Sequence, residues 1–119
     1  MKISLIKNIM KTDRSNGRKQ YTISIPEVLG QILEIEQNKT LYIYNWKQYS
    51  FNISTTNPNQ KQQEERKIFP NGNCNYFTLP VKLLSDLQEE KINKATFNVD
   101  LEAVDEATQR RGVVSLTIV

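Results

Sequence analysis

A short alternating stretch followed by a proline and an amphipathic segment is the clearest pattern in the chain. Residues 21–25 alternate apolar and polar side chains, which predicts a strand with one buried face. Pro26 follows, and proline suits the first turn of a helix because its missing N–H is not needed there. An apolar stripe at helical spacing then runs through Val28, Leu29, Ile32, Leu33 and Ile35. The pattern predicts a strand that leads directly into a short helix.

The same order recurs 54 residues later, with Pro80 in the place of Pro26. Phe77 and Leu79 stand where Ile23 and Ile25 stood, and a helix is predicted from Pro80 to about Gln88. Each copy is followed by an Asn-Lys pair and another alternating stretch. This shared order indicates an internal repeat, in which each copy is one supersecondary unit. Two unrelated strand–helix joints are the alternative.

Further alternation predicts the remaining strands. They are expected at residues 2–10, 40–44, 49–54, 67–69, 95–101 and 113–119, with turns at 13–18, 45–48 and 70–73 and a charged excursion at 103–112. The polar stretch 56–65 is predicted to be a linker between half-units 1–55 and 66–119 of a single domain. The predicted fold is therefore mostly β with two short helices, a small β-barrel built from two pseudo-symmetric β-β-α-β-β half-units.

Composition narrows the classes of function. The chain has 119 residues, no histidine and one cysteine, so an intrachain disulfide is excluded and a cytoplasmic protein is expected. Without histidine, the commonest general base and metal ligand are missing, and we expect no enzyme, no cofactor and no metal site. No apolar stretch approaches the length of a membrane span, so no membrane contact is expected.

Charge is unevenly distributed along the chain. Residues 1–20 carry six lysines or arginines and one aspartate, whereas residues 86–106 carry seven carboxylates and two lysines. Four of the basic residues lie in or beside the turn 13–18: Lys11, Arg14, Arg18 and Lys19. Arginine suits bidentate contacts to phosphate or guanine, so this turn is a candidate nucleic-acid contact. The alternative is a basic loop that only keeps the protein soluble.

Aromatic residues cluster around the predicted hairpin turn at 45–48. The cluster consists of Tyr42, Tyr44, Trp46 and Tyr49, with Lys47 beside it. Interleaved aromatic and basic side chains can stack on unpaired nucleobases. Aromatic residues on paired strands also pack against each other across the strands, and we favour that interpretation.

The order of a basic Gly-Arg turn, a strand ending in Ile-Pro or Leu-Pro, a short helix and a hairpin resembles a known family. It is similar to the swapped-hairpin domain of the SpoVT/AbrB/MazE class, on the segments GRKQYTISIPEVLGQILEIEQNKTLYI and NGNCNYFTLPVKLLSDLQEEKINKATFNV. In that family two half-units interleave their hairpins into one barrel. The MraZ-like members carry both half-units in one chain, and this chain resembles that layout.

The resemblance implies sequence-directed binding of duplex DNA and a role in transcription regulation. The basic turn would face the DNA with Arg14, Arg18 and Lys19, and Lys11 would lie on the adjoining strand. The second half departs from this pattern, because its turn at 70–73 has no arginine and only Arg66 and Lys67 lie nearby. Three partners therefore stay open: duplex DNA first, RNA bound by a PUA-like barrel and the aromatic cluster second, and a protein partner or a second copy of the chain third.

Overall fold

Two antiparallel sheets make up the fold in the computed structural model, which describes residues 2–85 and 87–118. The strands are β1 Lys2–Asn8, β2 Met10–Asp13, β3 Lys19–Ile25, β4 Thr40–Lys47, β5 Ser50–Ser54, β6 Gln63–Lys67, β7 Phe69–Asn71, β8 Cys74–Thr78, β9 Lys94–Val104 and β10 Arg111–Ile118. One α-helix, α1 Glu27–Ile32, follows β3, and two single-turn 3-10 helices span Val81–Leu83 and Glu89–Lys91. The prediction of a mostly β, compact domain is confirmed.

The order of strands in both sheets is symmetric when the first five strands are exchanged with the last five. One sheet has the order β1-β9-β10-β5-β4-β6, and the other has the order β2-β3-β8-β7. Exchanging β1–β5 with β6–β10 reverses both orders and leaves every neighbour unchanged. Ile23 and Phe77, which the sequence pattern matches, lie directly opposite each other in the β3–β8 ladder. As a consequence, β1 pairs with β9 of the second half, and β6 pairs with β4 of the first.

The core lies between the sheets and follows the alternation in the sequence. Apolar positions on the inner faces are almost fully buried, including Ile23, Ile43, Phe77, Phe97 and Leu116. Their neighbours along each strand point outward because successive side chains alternate between the faces of a strand. Each fully buried side chain of this size contributes about 1.5–3 kcal/mol, so this layer supplies most of the favourable free energy.

Tertiary contacts hold α1 in place. The helix has only six residues, and an isolated helix shorter than about 12 residues is marginal in water. Leu29 is fully buried, and the chain continues into the core with Leu33 and Ile35 after the helix has ended. Glu34 has a φ of 54°, a left-handed conformation that ends the helix. Burial of these three side chains positions a segment whose intrinsic helix stability is low.

The predicted second helix is wrong beyond its first turn. After Pro80 the chain forms one 3-10 turn, and Leu84 and Leu87 continue with backbone bonds to residues three positions earlier. These tight turns bring Leu84 into the core, where it is buried, so burial of this side chain does not require a regular α-helix. Gln88 is extended before the second 3-10 turn. Asp86, which falls in the predicted helix, lies outside the described residues.

The predicted closed barrel is not formed by the described strands. The six-stranded sheet ends at β1 and β6, and the four-stranded sheet ends at β2 and β7. The chain passes between the sheets at Ile9 and again at Ile68, both of which are buried. Ile9 N–H donates to the Asn93 carbonyl at 2.8 Å, and Ile68 N–H donates to the Lys39 carbonyl at 2.8 Å. The crossing at Ile9 divides the predicted strand 2–10 between β1 and β2, and the crossing at Ile68 divides the predicted strand 67–69 between β6 and β7.

Several further boundaries differ from the predictions. β4 continues through most of the predicted turn 45–48, to Lys47, and β7 extends into the predicted turn 70–73, to Asn71. The last part of the predicted linker 56–65 belongs to β6, which begins at Gln63, because its backbone pairs with β4. The predicted excursion 103–112 is shorter than expected, since β9 continues to Val104 and β10 begins at Arg111. Across residues 2–85 and 87–118, no helix has the length and apolar character needed to cross a membrane.

Candidate nucleic-acid interface

The loop between β2 and β3 is closed by its own backbone and side-chain hydrogen bonds. Arg14 N–H donates to the Arg18 carbonyl at 2.8 Å, and Gly17 N–H donates to the Arg14 carbonyl at 3.0 Å. The Asn16 side-chain oxygen accepts from Arg18 N–H at 3.0 Å. Gly17 has a φ of 78°, which a residue with a Cβ adopts only with strain. The loop is therefore a defined turn that fixes where its side chains start.

Arg14 and Arg18 present unpaired guanidinium groups at this turn. Both residues are exposed, and neither side chain has an ion pair or hydrogen bond within residues 2–85 and 87–118. A guanidinium offers five donors in a planar fork that matches the geometry of phosphate or the guanine edge. The structure thus places the two arginines of the sequence prediction together and leaves their donors available.

Lys11 and Lys19 are engaged with the acidic segment. Lys19 Nζ lies 2.6 Å from Glu89 Oε1 and 3.2 Å from Asp13 Oδ1. Hydrogen bonding to Glu89, and then to Asp13, raises the pKa of Lys19 above its ordinary value. Lys11 Nζ donates to the Glu89 carbonyl at 2.8 Å and to Asn93 Oδ1 at 3.0 Å. Neighbouring oxygen atoms therefore balance part of the positive charge that each of these two lysines carries.

This arrangement follows from the pairing of strands. Because β1 pairs with β9, the basic start of the chain runs beside the segment that precedes β9. The basic and acidic ends of the sequence therefore meet in the fold and do not occupy opposite faces. Of the four basic residues around the turn, only Arg14 and Arg18 point their charge to solvent without a partner among the described residues.

Arg66 and Lys67 lie away from this turn. They end β6, an edge strand of the six-stranded sheet, whereas the turn joins β2 and β3 of the other sheet. The strand that follows them, β7, is separated from β2 by three strand spacings, roughly 14 Å. Arg66 donates to the Glu65 carbonyl at 2.8 Å and lies 3.4 Å from Glu64 Oε2. Lys67 is exposed. The six predicted basic residues therefore form two separate groups.

The aromatic cluster is divided by the fold. Tyr44 is buried, with 1% of its surface exposed, and its hydroxyl donates to the Asp105 carboxylate. Burial first, and then this bond, raises the pKa of Tyr44 above its ordinary value. No face of the Tyr44 ring is left for a nucleobase. Tyr42 is half-buried on β4, and Tyr49 packs against the core.

Trp46 packs partly against the core, and a lysine covers one face of its ring. Lys82 Nζ lies 5.0 Å from the centre of the Trp46 ring, a cation–π contact, and the ring is half-buried. A wide groove of about 950 Å³ opens beside it. The groove is lined by Asn45, Trp46, Lys47, Ser50, Asn52, Gln60, Lys61, Gln62 and Ser115. Sequence reasoning missed Gln60, Lys61 and Gln62 because residues 56–65 are predicted to be a linker, although the richness of that stretch in amide side chains was a visible signal.

The described part of the chain contains no cluster of side chains that could bind a metal ion. Across residues 2–85 and 87–118, no group of three or more His, Cys, Asp or Glu side chains is placed to hold a metal ion.

No protein-family model matches the chain, and neither does any of the curated proteins or solved structures compared with it. The case for a function therefore comes from the geometry of the site.

Proposed function

We propose that the protein is a non-catalytic regulator that binds duplex DNA through the β2–β3 loop. The observation that carries the proposal is the pair of exposed arginines, Arg14 and Arg18, on a hydrogen-bonded turn with no internal partner among the described residues. A convex turn with planar donors fits the phosphate backbone and the guanine edge in a groove of the double helix. Such a regulator would act in the cytoplasm.

The proposal includes the interpretation of the fold as two interleaved half-units, residues 1–55 and 66–119. The palindromic strand orders support it, as does the position of Ile23 opposite Phe77. Exchange of edge strands between halves is the arrangement expected from the resemblance to the SpoVT/AbrB/MazE class and its MraZ-like layout. The open sheets replace the closed barrel in this interpretation, and α1 has only a 3-10 turn as its counterpart.

Unequal loops make the proposed contact one-sided. The β7–β8 turn contains Asn71, Gly72 and Asn73, so the second half offers no guanidinium in the equivalent place. Phosphate contacts would then come mainly from the first half of each chain. If two copies of the chain bind together, each would supply one arginine loop to the DNA.

The test compares three variants in duplex binding measured by fluorescence anisotropy from 50 to 200 mM salt, with a pool of random-sequence duplexes. Arg14→Ala with Arg18→Ala is expected to weaken binding roughly tenfold to a hundredfold and to lower the salt slope by about 1.8, the value for two lost phosphate contacts. Arg14→Lys with Arg18→Lys keeps the charge and loses the bidentate geometry, so an intermediate loss is expected.

The matched control removes the same charge elsewhere. Lys2 and Lys39 are exposed, and neither side chain makes an ion pair within residues 2–85 and 87–118. Lys2→Ala with Lys39→Ala is expected to change affinity far less than the arginine variant. Equal losses in both double variants, or an unchanged affinity without the arginines, would remove the β2–β3 loop as the DNA contact.

A further inference from the structure

The groove beside Trp46 is built from three separate segments. Its floor is the outer face of the six-stranded sheet, where Asn52 of β5 lies directly opposite Ser115 of β10. One wall is the tip of the β4–β5 hairpin, and the other is the segment that precedes β6. At about 950 Å³ it is at the upper end of the range of ligand sites, about 300–1,000 Å³.

The second wall is held in position by hydrogen bonds. Asn57 Oδ1 accepts from Asn59 N–H at 2.9 Å and from the Gln63 side-chain amide at 3.0 Å. Gln63 Oε1 in turn accepts from Gln60 N–H at 2.8 Å. Since Gln63 also pairs with Tyr44 in the sheet, this network fixes the wall to the sheet. The segment predicted as a linker is therefore an ordered loop that presents Gln60, Lys61 and Gln62.

The lining of the groove has donors and acceptors without internal partners. The side chains of Asn45, Asn52, Gln60 and Gln62 make no hydrogen bond within residues 2–85 and 87–118. Lys47 and Lys61 are exposed and make no ion pair with the described carboxylates. Every lining residue is polar or cationic apart from the Trp46 ring, and there is no carboxylate among them.

This combination selects a class of ligand. Side-chain amides can donate and accept at once, which suits the edges of nucleobases, and an aromatic ring beside them offers a surface for stacking. Lysines that make no ion pair with a described carboxylate favour an anionic backbone over a neutral glycan. The base edges must be exposed to reach Asn52 at the floor, and a paired duplex hides its Watson–Crick edges.

From these features we infer that the groove binds a short unpaired stretch of nucleic acid, with Lys47 and Lys61 on the phosphates and Asn52 on a base edge. This site is separate from the β2–β3 loop and does not depend on duplex binding there. It also differs from the aromatic cluster predicted from the sequence, because Trp46 alone of the four aromatic residues lines the groove.

Trp46 is the only tryptophan in the chain, so its fluorescence reports on this groove directly. The experiment titrates the full chain with three ligands. They are a single-stranded DNA 12-mer, the same 12-mer paired with its complement, and heparin, which is a polyanion without bases. The single strand is expected to change the Trp46 emission at lower concentrations than either of the other two. The salt dependence of that binding reports the number of phosphate contacts.

Two variants and a control test the residues. Lys47→Ala with Lys61→Ala should weaken single-strand binding roughly tenfold or more and lower the salt slope by about 1.4, the value for two contacts to a single strand. Asn52→Asp puts a negative charge on the floor with nearly the same shape and should also weaken binding. Lys39→Ala with Lys91→Ala removes equal charge elsewhere and should have little effect.

The outcomes separate the two sites. Loss of single-strand binding in the groove variants, with duplex binding retained, supports the inference, and it does so whether or not the arginine loop binds DNA. Equal affinity for heparin and the single strand, an unchanged affinity in both groove variants, or an equal loss in the lysine control would overturn it. Thermal unfolding of each variant by circular dichroism establishes that the fold is intact.

Discussion

The two halves of the molecule agree in their buried positions and differ in their exposed ones. Exchanging β1–β5 with β6–β10 matches buried residues with buried residues at five positions of the core. The matched pairs are Ile9 with Ile68, Ile23 with Phe77, Ile25 with Leu79, Leu41 with Ala95, and Ile43 with Phe97. A shared core restrains both halves at once, because each half covers the apolar side of the other.

The corresponding loops are under no such restraint. The β2–β3 loop carries Arg14 and Arg18, whereas the β7–β8 turn carries Asn71 and Asn73. Both turns keep a glycine with positive φ, Gly17 at 78° and Gly72 at 65°. The turn conformation is repeated, whereas the charged side chains are not, so we expect a contact based on charge in the first half only.

The ends of the two long hairpins are also anchored differently. The β9–β10 hairpin is attached to the turn after α1, where Arg110 Nη2 and Nη1 donate to the Glu34 carboxylate at 2.7 and 3.1 Å. The β4–β5 hairpin places Trp46 against Lys82, which is paired with Glu64. The β9–β10 hairpin is therefore anchored by a bidentate ion pair, and the β4–β5 hairpin by a cation–π contact together with an ion pair.

The largest expected effect is at the centre of the shared core. Phe77→Ala is expected to lower the free energy of unfolding by about 3–5 kcal/mol, and Ile23→Ala by about 2–5 kcal/mol, because each leaves a cavity in a fully buried site. Urea denaturation measures both. Val28→Ala, at a position that is 53% exposed, is the control and should change stability by less than about 0.5 kcal/mol. Two separate unfolding transitions in either variant would contradict a single shared core.

The next effect concerns Tyr44 and its counterpart Asn98. Tyr44→Phe is expected to lower the free energy of unfolding by about 1–3 kcal/mol, because the buried Asp105 carboxylate loses a donor. Asn98→Ala removes a surface hydrogen bond from Ser4 and a long one, at 3.5 Å, to the Thr96 carbonyl, and should cost about 0.5 kcal/mol. Urea denaturation at neutral pH gives the comparison. Equal costs at the two positions would show that the Tyr44–Asp105 contact has no special weight.

The effect of Tyr44→Phe on the free energy of unfolding is expected to depend on pH in one direction. The pKa of Tyr44 is raised in the folded protein, so its contribution is fully present below the ordinary value of 10.0 and is lost as the pH rises above it. The difference in stability between the natural protein and Tyr44→Phe should therefore shrink between pH 9 and pH 11. A difference that grows over this range would contradict a protonated, hydrogen-bonded Tyr44.

A smaller effect distinguishes the two glycine turns. Gly17→Ala and Gly72→Ala should each lower stability by roughly 1–2 kcal/mol, since both residues have positive φ and no neighbouring atom crowds the new Cβ. Only Gly17→Ala should also weaken duplex binding, because it distorts the turn that positions Arg14 and Arg18. Anisotropy with the duplex pool and urea denaturation are measured on the same preparations. Equal weakening by both variants would argue against a one-sided DNA contact.

The smallest effects are changes in two carboxyl pKa values. Hydrogen bonding to Arg110 lowers the pKa of Glu34 from its ordinary 4.5, and hydrogen bonding to Lys82 lowers that of Glu64. Each contribution to stability is present above pH 4.5 and is lost as the pH falls through the lowered value. In carboxyl NMR titrations, Arg110→Gln should raise the pKa of Glu34 alone, and Lys82→Gln that of Glu64 alone. A crossed response would show that the two anchors are coupled.

Much of the strand content could be predicted because alternation is a local property. The pattern at residues 113–119 and 95–101 identifies the buried faces of β10 and β9 correctly over their described residues. It also placed α1 after Pro26. The helix predicted after Pro80 was wrong because an apolar spacing of three or four residues fits successive 3-10 turns as well as an α-helix, and packing of Leu84 selects between them.

Alternation in the sequence was enough to identify the core-facing residues of β3, β9 and β10, and the prolines and glycines marked several of the turns. The repeated order of elements stays a prediction, because 3-10 turns replace its second helix. The tertiary structure alone decided which strands are neighbours, since a period of two residues marks a buried face but not a partner. That choice brought Glu89 to Lys19, covered Tyr44 with Asp105, and turned an apparent linker into one wall of the groove. Arg14 and Arg18 were left as the exposed, unpaired cations of the β2–β3 loop because the acidic segment reaches the strands beside the loop and makes its contacts there.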